Sequence, residues 1–175
     1  VVFMSIRLRN IALALFFATA LAGCNDTLDS VDLSHVKNTV EQPLPSRIVT
    51  EMQKKNMPRN SPIMMRIFKE EGALEIWKAK ADGRFDVIAS YSSSGCYSMT
   101  DAQVLEIYAF ARDAFKGGQT AVQLQAFPFR MTAENMARHR DSEHLDFWKM
   151  LKVGYDNFEV TKRPPEVNIC EKKYV

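Results

Sequence analysis

From Ser61 onward the apolar positions fall first into short alternating runs and then into a longer, helical period. Ile63-Met64-Met65-Arg66-Ile67-Phe68 is apolar enough for a strand, and Glu70-Glu71-Gly72 after it offers a turn. Residues 73–80 alternate, with Leu74, Ile76 and Ala79 off the polar positions. The Asp-Gly pair inside Ala81-Asp82-Gly83-Arg84 favours a tight hairpin turn. Residues 85–91 read as a third strand with Phe85, Val87 and Ala89 on one face and Ile88 on the other. The pattern predicts a meander of three antiparallel strands.

Past Cys96 the period lengthens to about 3.6. Thr100 and Gln103 have the spacing of a capping box, Val104, Ile107, Tyr108, Ala111 and Phe115 mark one helical face, and Gly117-Gly118 ends it. This helix is predicted to pack on the sheet. Residues 120–127 read as a fourth strand, followed by helices over 131–139 and 142–153, the second stopped at Gly154. Pro164-Pro165 closes the helical part. Met131, Met136, Phe147, Trp148 and Met150 recur at helical spacing, which reads as a core stripe rather than a partner-binding face. Together these elements predict an α+β fold: a mainly antiparallel sheet with C-terminal helices.

The first sixty residues have a different texture. Arg7 and Arg9 precede an apolar run over 11–21, the length of a signal-peptide core and too short to span a bilayer. The run ends in Leu21-Ala22-Gly23-Cys24, the lipobox pattern, which predicts cleavage before Cys24 and lipidation of its thiol. Met4 is the expected start. Residues 25–60 are polar, with Pro43, Pro45 and Pro58 and little periodicity beyond a short helix around 48–55, and they read as a tether. Order is expected to begin near Ser61. The expected organisation is a signal peptide over 1–23, a lipidated polar tether over 24–60 and a folded domain over 61–175. The protein would be anchored in the cell envelope by its lipid and face the periplasm. Asn25 and Asp26 leave inner and outer membrane both open.

The 23 basic and 21 acidic residues balance once Arg7 and Arg9 leave with the signal peptide, so nucleic acid is not an expected partner. No Cys/His spacing suggests a metal, and Gly117-Gly118 lacks a phosphate-binding pattern, so no metal or cofactor is expected. Cys96 and Cys170 either pair as a disulfide in an oxidising compartment or leave Cys96 as a reactive thiol.

The residues around Cys96 carry a resemblance. Ser93-Ser94-Gly95-Cys96-Tyr97 resembles the Ser-x-Gly-Cys-aromatic motif of the YkuD-type L,D-transpeptidases, cysteine enzymes that act on peptidoglycan peptides. Ile67-Phe68-Lys69-Glu70-Glu71, Cys96-Tyr97-Ser98-Met99-Thr100, Phe127-Pro128-Phe129-Arg130-Met131-Thr132, Asn135-Met136, Phe147-Trp148 and Gly154-Tyr155-Asp156 are similar to the YafK group of that family. The similarity runs from about Ser61 to the end. It implies Cys96 as the nucleophile that forms an acyl-enzyme, Gly95 in the oxyanion-hole region, and Ser93 and Tyr97 beside the substrate. The start of a helix at Thr100, just after Cys96, would lower the thiol pKa. Implied partners are peptidoglycan stem peptides and a peptidoglycan-linked lipoprotein, without a cofactor. Transfer to an amine and hydrolysis of a peptidoglycan–lipoprotein amide link both stay open, because no residue reports whether an amine or water resolves the thioester.

The sequence departs from the family at one point. The resemblance implies a His-Gly pair on a strand shortly before the cysteine motif, preceded by a long stretch completing the sheet. Here Tyr91 runs within a few residues into Ser93 and Cys96. In the folded part only His139 and His144 remain, on charged helices where solvated histidines are the ordinary case. The second reading is therefore a non-catalytic remnant or a peptidoglycan-binding lipoprotein. An incomplete sheet also implies exposed edges and apolar surface, and a lower melting temperature than a full-length relative.

Overall fold

The computed structural model describes residues 41–93, 97–171 and 173–174. Its elements run in the order α1 (Ser46–Lys54), β1 (Ile63–Phe68), β2 (Ala73–Ala79), β3 (Phe85–Ser92), α2 (Asp101–Lys116), β4 (Gln123–Phe127), α3 (Ala133–Arg138), α4 (Leu145–Thr161), then the two-residue strands β5 (Ile169–Cys170) and β6 (Lys173–Tyr174). The main sheet has strand order β3-β2-β1-β4. β1 and β3 pair antiparallel with β2, as the meander predicts, and β4 pairs parallel with β1. The fold is α+β with a mixed, mainly antiparallel sheet and C-terminal helices.

Side chains alternate across a strand, and β1 uses both of its faces. Ile63 and Ile67 join Ile48 and Met52 of α1 and Ala109, Phe110 and Ala114 of α2 in one core cluster. On the other face Met64 packs with Phe158 of α4, and Phe68 with Phe127, Met131 and Tyr155. The sheet therefore lies between two helical layers. Met131 is fully buried, and Met136 and Trp148 pack against its cluster, as the core reading of that stripe expects, whereas Phe147 stays exposed.

Both hairpin turns form where the sequence places them. Gly72 sits at φ +56° and donates to the Lys69 carbonyl at 3.2 Å. Gly83, at φ +77°, donates to the Lys80 carbonyl at 3.0 Å, while the Arg84 amide donates to Asp82 Oδ1 at 2.9 Å. The capping box of α2 is present in full, with Thr100 accepting from the Gln103 amide and Gln103 from the Thr100 amide.

Four expectations change. Order begins upstream of Ser61: Leu44, Ile48, Met52 and Met57 are all buried in the first core cluster, so residues ahead of β1 close one side of the sheet. Ala89 does not share a face with Phe85. A bulge opposite Ile76 and Trp77 leaves Ile88 without a cross-strand partner, and Ile88 and Ala89 both turn toward α1 and α2. Helix α2 buries Glu106, Ala109, Phe110, Asp113 and Ala114, while Val104, Tyr108 and Phe115 face outward. Helix α4 runs through Gly154 to Thr161, because Tyr155 and Phe158 beyond it are core residues, and burying each such side chain contributes about 1.5–3 kcal/mol.

Candidate functional site

Strand β3 delivers the cysteine motif. Its last turn is fixed by the Ser93 amide, which donates to the Gly72 carbonyl at 2.7 Å. A Cβ on Gly72 would lie 2.8 Å from the Ser93 carbonyl oxygen, so close approach and positive φ both call for glycine there. Ser94, Gly95, Cys96 and the lipidation candidate Cys24 lie outside the described residues.

The chain is described again at Tyr97, a non-glycine residue at φ +68°. That left-handed conformation costs on the order of 1 kcal/mol and persists where surrounding contacts hold it. Lys69 Nζ lies 5.8 Å from the Tyr97 ring centroid, a cation–π contact. Thr100 then caps α2. Between these anchors is an open depression of about 410 Å³ lined by Ser92, Ser93, Ser98, Met99, Thr100 and Gln103. Ser93 thus lines a cleft and Tyr97 flanks it. Another depression, of about 310 Å³ and lined by β4, α4 and residues 165–167, lies elsewhere in the fold and touches none of the motif residues.

The turn between β1 and β2 links both flanks of the motif. Gly72 holds Ser93, Lys69 faces Tyr97, and Glu70 between them takes His139, with Nε2 to Oε2 at 3.1 Å. His139 is also stacked on Phe129, centroids 4.5 Å apart, and Arg138 donates to the other Glu70 oxygen at 2.9 Å. His144 lies at the start of α4, 3.9 Å from Glu143 and edge-on to Trp148. The Glu70–His139 pair escapes sequence reasoning, since 69 positions separate its members and neither belongs to the motif.

Behind the turn lies a charged network. Arg130 donates to Glu75 at 2.5 Å, and the Trp77 indole donates to the other Glu75 oxygen at 2.8 Å. Burial works to lower the Arg130 pKa, but Glu75 outweighs it and raises it. On the opposite face the Tyr91 hydroxyl donates to Glu106 at 2.6 Å. Burial first, and Glu106 second, push the phenol well above its ordinary range. Cys170 is an exposed free thiol in β5, whereas Cys96, its partner in the disulfide reading, lies outside the described residues.

No family model matches the chain. Two curated proteins named "putative L,D-transpeptidase YafK", from Escherichia coli K12 and Escherichia coli O157:H7, are each 48% identical to it over 83 residues. The match takes in 47% of this chain and 34% of each relative, so the chain covers about a third of the length of the proteins it resembles. Over those 83 residues the chain is similar to these proteins named as L,D-transpeptidases.

Proposed function

We propose that this chain acts on peptidoglycan as a cysteine-dependent L,D-transpeptidase, or as a hydrolase of amide links between peptidoglycan and a lipoprotein. The observation that carries the reading is the 48% identity to proteins named as L,D-transpeptidases, taken with the Ser93-Ser94-Gly95-Cys96-Tyr97 motif. In this mechanism the Cys96 thiolate attacks the amide carbonyl, and backbone N–H groups around Gly95 stabilise the oxyanion. The C–N bond breaks, the leaving amine takes a proton, and a thioester remains on Sγ. An incoming amine completes transfer, or water completes hydrolysis, and the thiol is regenerated. Two features support this chemistry. Cys96 precedes the α2 cap by four positions, a setting that favours a thiolate. The residues on either side of the motif are held by one turn, at Gly72 and Lys69.

The proposed setting is the periplasmic face of a membrane, with Cys24 carrying the lipid anchor and residues 1–23 removed. A second reading, a peptidoglycan-binding relative without turnover, is favoured by two observations. The sequence has no His-Gly pair ahead of the cysteine motif, and His139 is engaged by Glu70.

Incubating the full chain with peptidoglycan carrying bound lipoprotein, beside Cys96→Ala, separates the two. Products or a thioester adduct that vanish in the Cys96→Ala variant establish the enzyme. Intact substrate and unmodified protein, from a sample with native circular dichroism, leave the binding reading. His139→Ala and Glu70→Gln, assayed in parallel, then report whether that pair supplies the base.

A further inference from the structure

Arg66 is sealed inside the fold at 1% exposure, and its guanidinium is only partly used. Nη1 donates to Glu159 at 2.6 Å, whereas Nε and Nη2 are buried without a hydrogen-bond partner among the described residues. Those two nitrogens form one edge of the planar group, the fork that makes two parallel bonds. Rings of Phe68, Trp77, Phe127, Tyr155 and Phe158 surround the guanidinium. Their faces attract its charge, but a ring is a much weaker hydrogen-bond acceptor than an oxygen.

The neighbouring strand supplies an acceptor. β4 runs parallel to β1 with Gln125 opposite Arg66 and Phe127 opposite Phe68. Phe68 and Phe127 stack with each other and pack on Tyr155 of α4. Side chains two positions apart share a face, so Arg66 and Gln125 both enter the layer beneath α4. Gln123 Nε2 donates to the Pro165 carbonyl at 2.9 Å, which leaves Gln123 Oε1 to accept from Gln125 Nε2 at 3.1 Å. That chain fixes the Gln125 amide with its oxygen free, and Gln125 Oε1 is buried without a partner. Two donors and one acceptor on adjacent strands thus lie unbonded in one layer, and they do not bond each other.

An occupant of this site must accept from the fork and donate to an amide oxygen. An anion meets the first demand and is repelled by the second, and Glu159 already balances the charge of Arg66. A cation is repelled by the fork, and an apolar group satisfies neither side. Water meets both demands, and three polar partners are the usual number for a buried water.

We propose that a single ordered water bridges Arg66 Nε and Nη2 to Gln125 Oε1, a hydration site that ties β4 to β1 beneath α4. Gln125 and Phe127 also line the open depression of about 310 Å³ beside α4, which gives this water a route of exchange with solvent. The site is independent of the reading of Cys96.

The test is a crystal structure of the full chain at a resolution that shows ordered water, together with water-to-Arg66 Nε–H cross-relaxation measured by NMR. The expected result is one solvent peak about 2.7–3.2 Å from all three atoms and a water signal at Nε–H. Gln125→Met keeps the side-chain length and removes the acceptor, and should weaken that signal at least twofold. A direct bond from Arg66 to Gln125 overturns the proposal. So does a bromide soak that places an anomalous peak on the fork, which assigns the site to an anion. Absence of a water signal at Nε–H in the unmodified protein, or an undiminished one in Gln125→Met, is equally fatal. Should Gln125→Met fail to fold, the solvent peak and the signal of the unmodified protein decide the matter.

Discussion

Lys78 has no exposed surface, and its ammonium donates to the Ser61 carbonyl at 2.7 Å. Burial lowers its pKa from 10.5 to about 8, against the pull of Asp113. The unfolded chain therefore binds a proton that the folded chain lacks between pH 8 and 10.5, and stability rises with pH across that window. The contribution is about 3 kcal/mol at most, by the energy of each pKa step. Above the ordinary tyrosine range Tyr91 acts the other way, because its phenol stays protonated in the fold and ionises in the unfolded chain. Urea midpoints between pH 7 and 10 should climb for the unmodified protein and stay flat for Lys78→Met; parallel curves would remove Lys78 as the cause. The run Ile63 to Phe68 announces a strand, but not that Arg66 within it is 1% exposed. Its guanidinium lies 4.5 Å from the Tyr155 ring centroid and 4.7 Å from Phe158, and bonds Glu159 at 2.6 Å. Those partners come from a helix some ninety positions away, beyond the reach of any local pattern.

At the scale of the element, α2 is the best-written and the worst-read part of the chain. Its start and end are legible because caps are local: Thr100 and Gln103 satisfy each other's amides, and Gly117 closes the last turn. Thr100→Ala should cost about 1 kcal/mol in denaturant unfolding. Gly117→Ala should cost more, since its Cβ would fall 1.9 Å from the Asn60 carbonyl oxygen, a backbone atom with no rotamer to escape by. A smaller effect at Gly117 than at Thr100 would mean that the approach of Asn60 is not maintained in solution. The inward face of α2 is illegible for a different reason. Apolar periodicity points to Val104, Tyr108 and Phe115, and the partners Tyr91, Arg47 and Arg59, distant in sequence, together with Arg112 beside Asp113, make burial of Glu106 and Asp113 tolerable. Strand β3 follows the same lesson on a smaller scale, because a one-residue bulge shifts the alternation beyond Ile88.

For the whole molecule, the meander, the cap and the C-terminal helices can be read from periodicity, while the packing of α1 against β3 and α2 cannot. Its prolines and charges make residues 41–60 look like linker, and a mean of polar positions hides the two residues that matter, Ile48 and Met52. Ile48→Ala and Met52→Ala should each lower stability by about 2–5 kcal/mol. Values near zero in thermal or urea unfolding would return this segment to the tether. The candidate site is legible as a motif and not as an arrangement, since the turn that joins Ser93, Tyr97 and His139 brings together residues from three separate stretches of sequence.

The parallel pairing of β4 with β1 carries a consequence in time. β1, β2 and β3 meet through hairpins and can assemble within microseconds, whereas β4 is about 60 positions from β1 and reaches it only after α2 has crossed over. Until it arrives, the edge of β1 is an open template of unpaired amides and carbonyls, flanked by Met64, Ile67 and Phe68. The chain is thus most exposed to mispairing with another copy of itself early in folding, in the interval before its last strand closes the sheet.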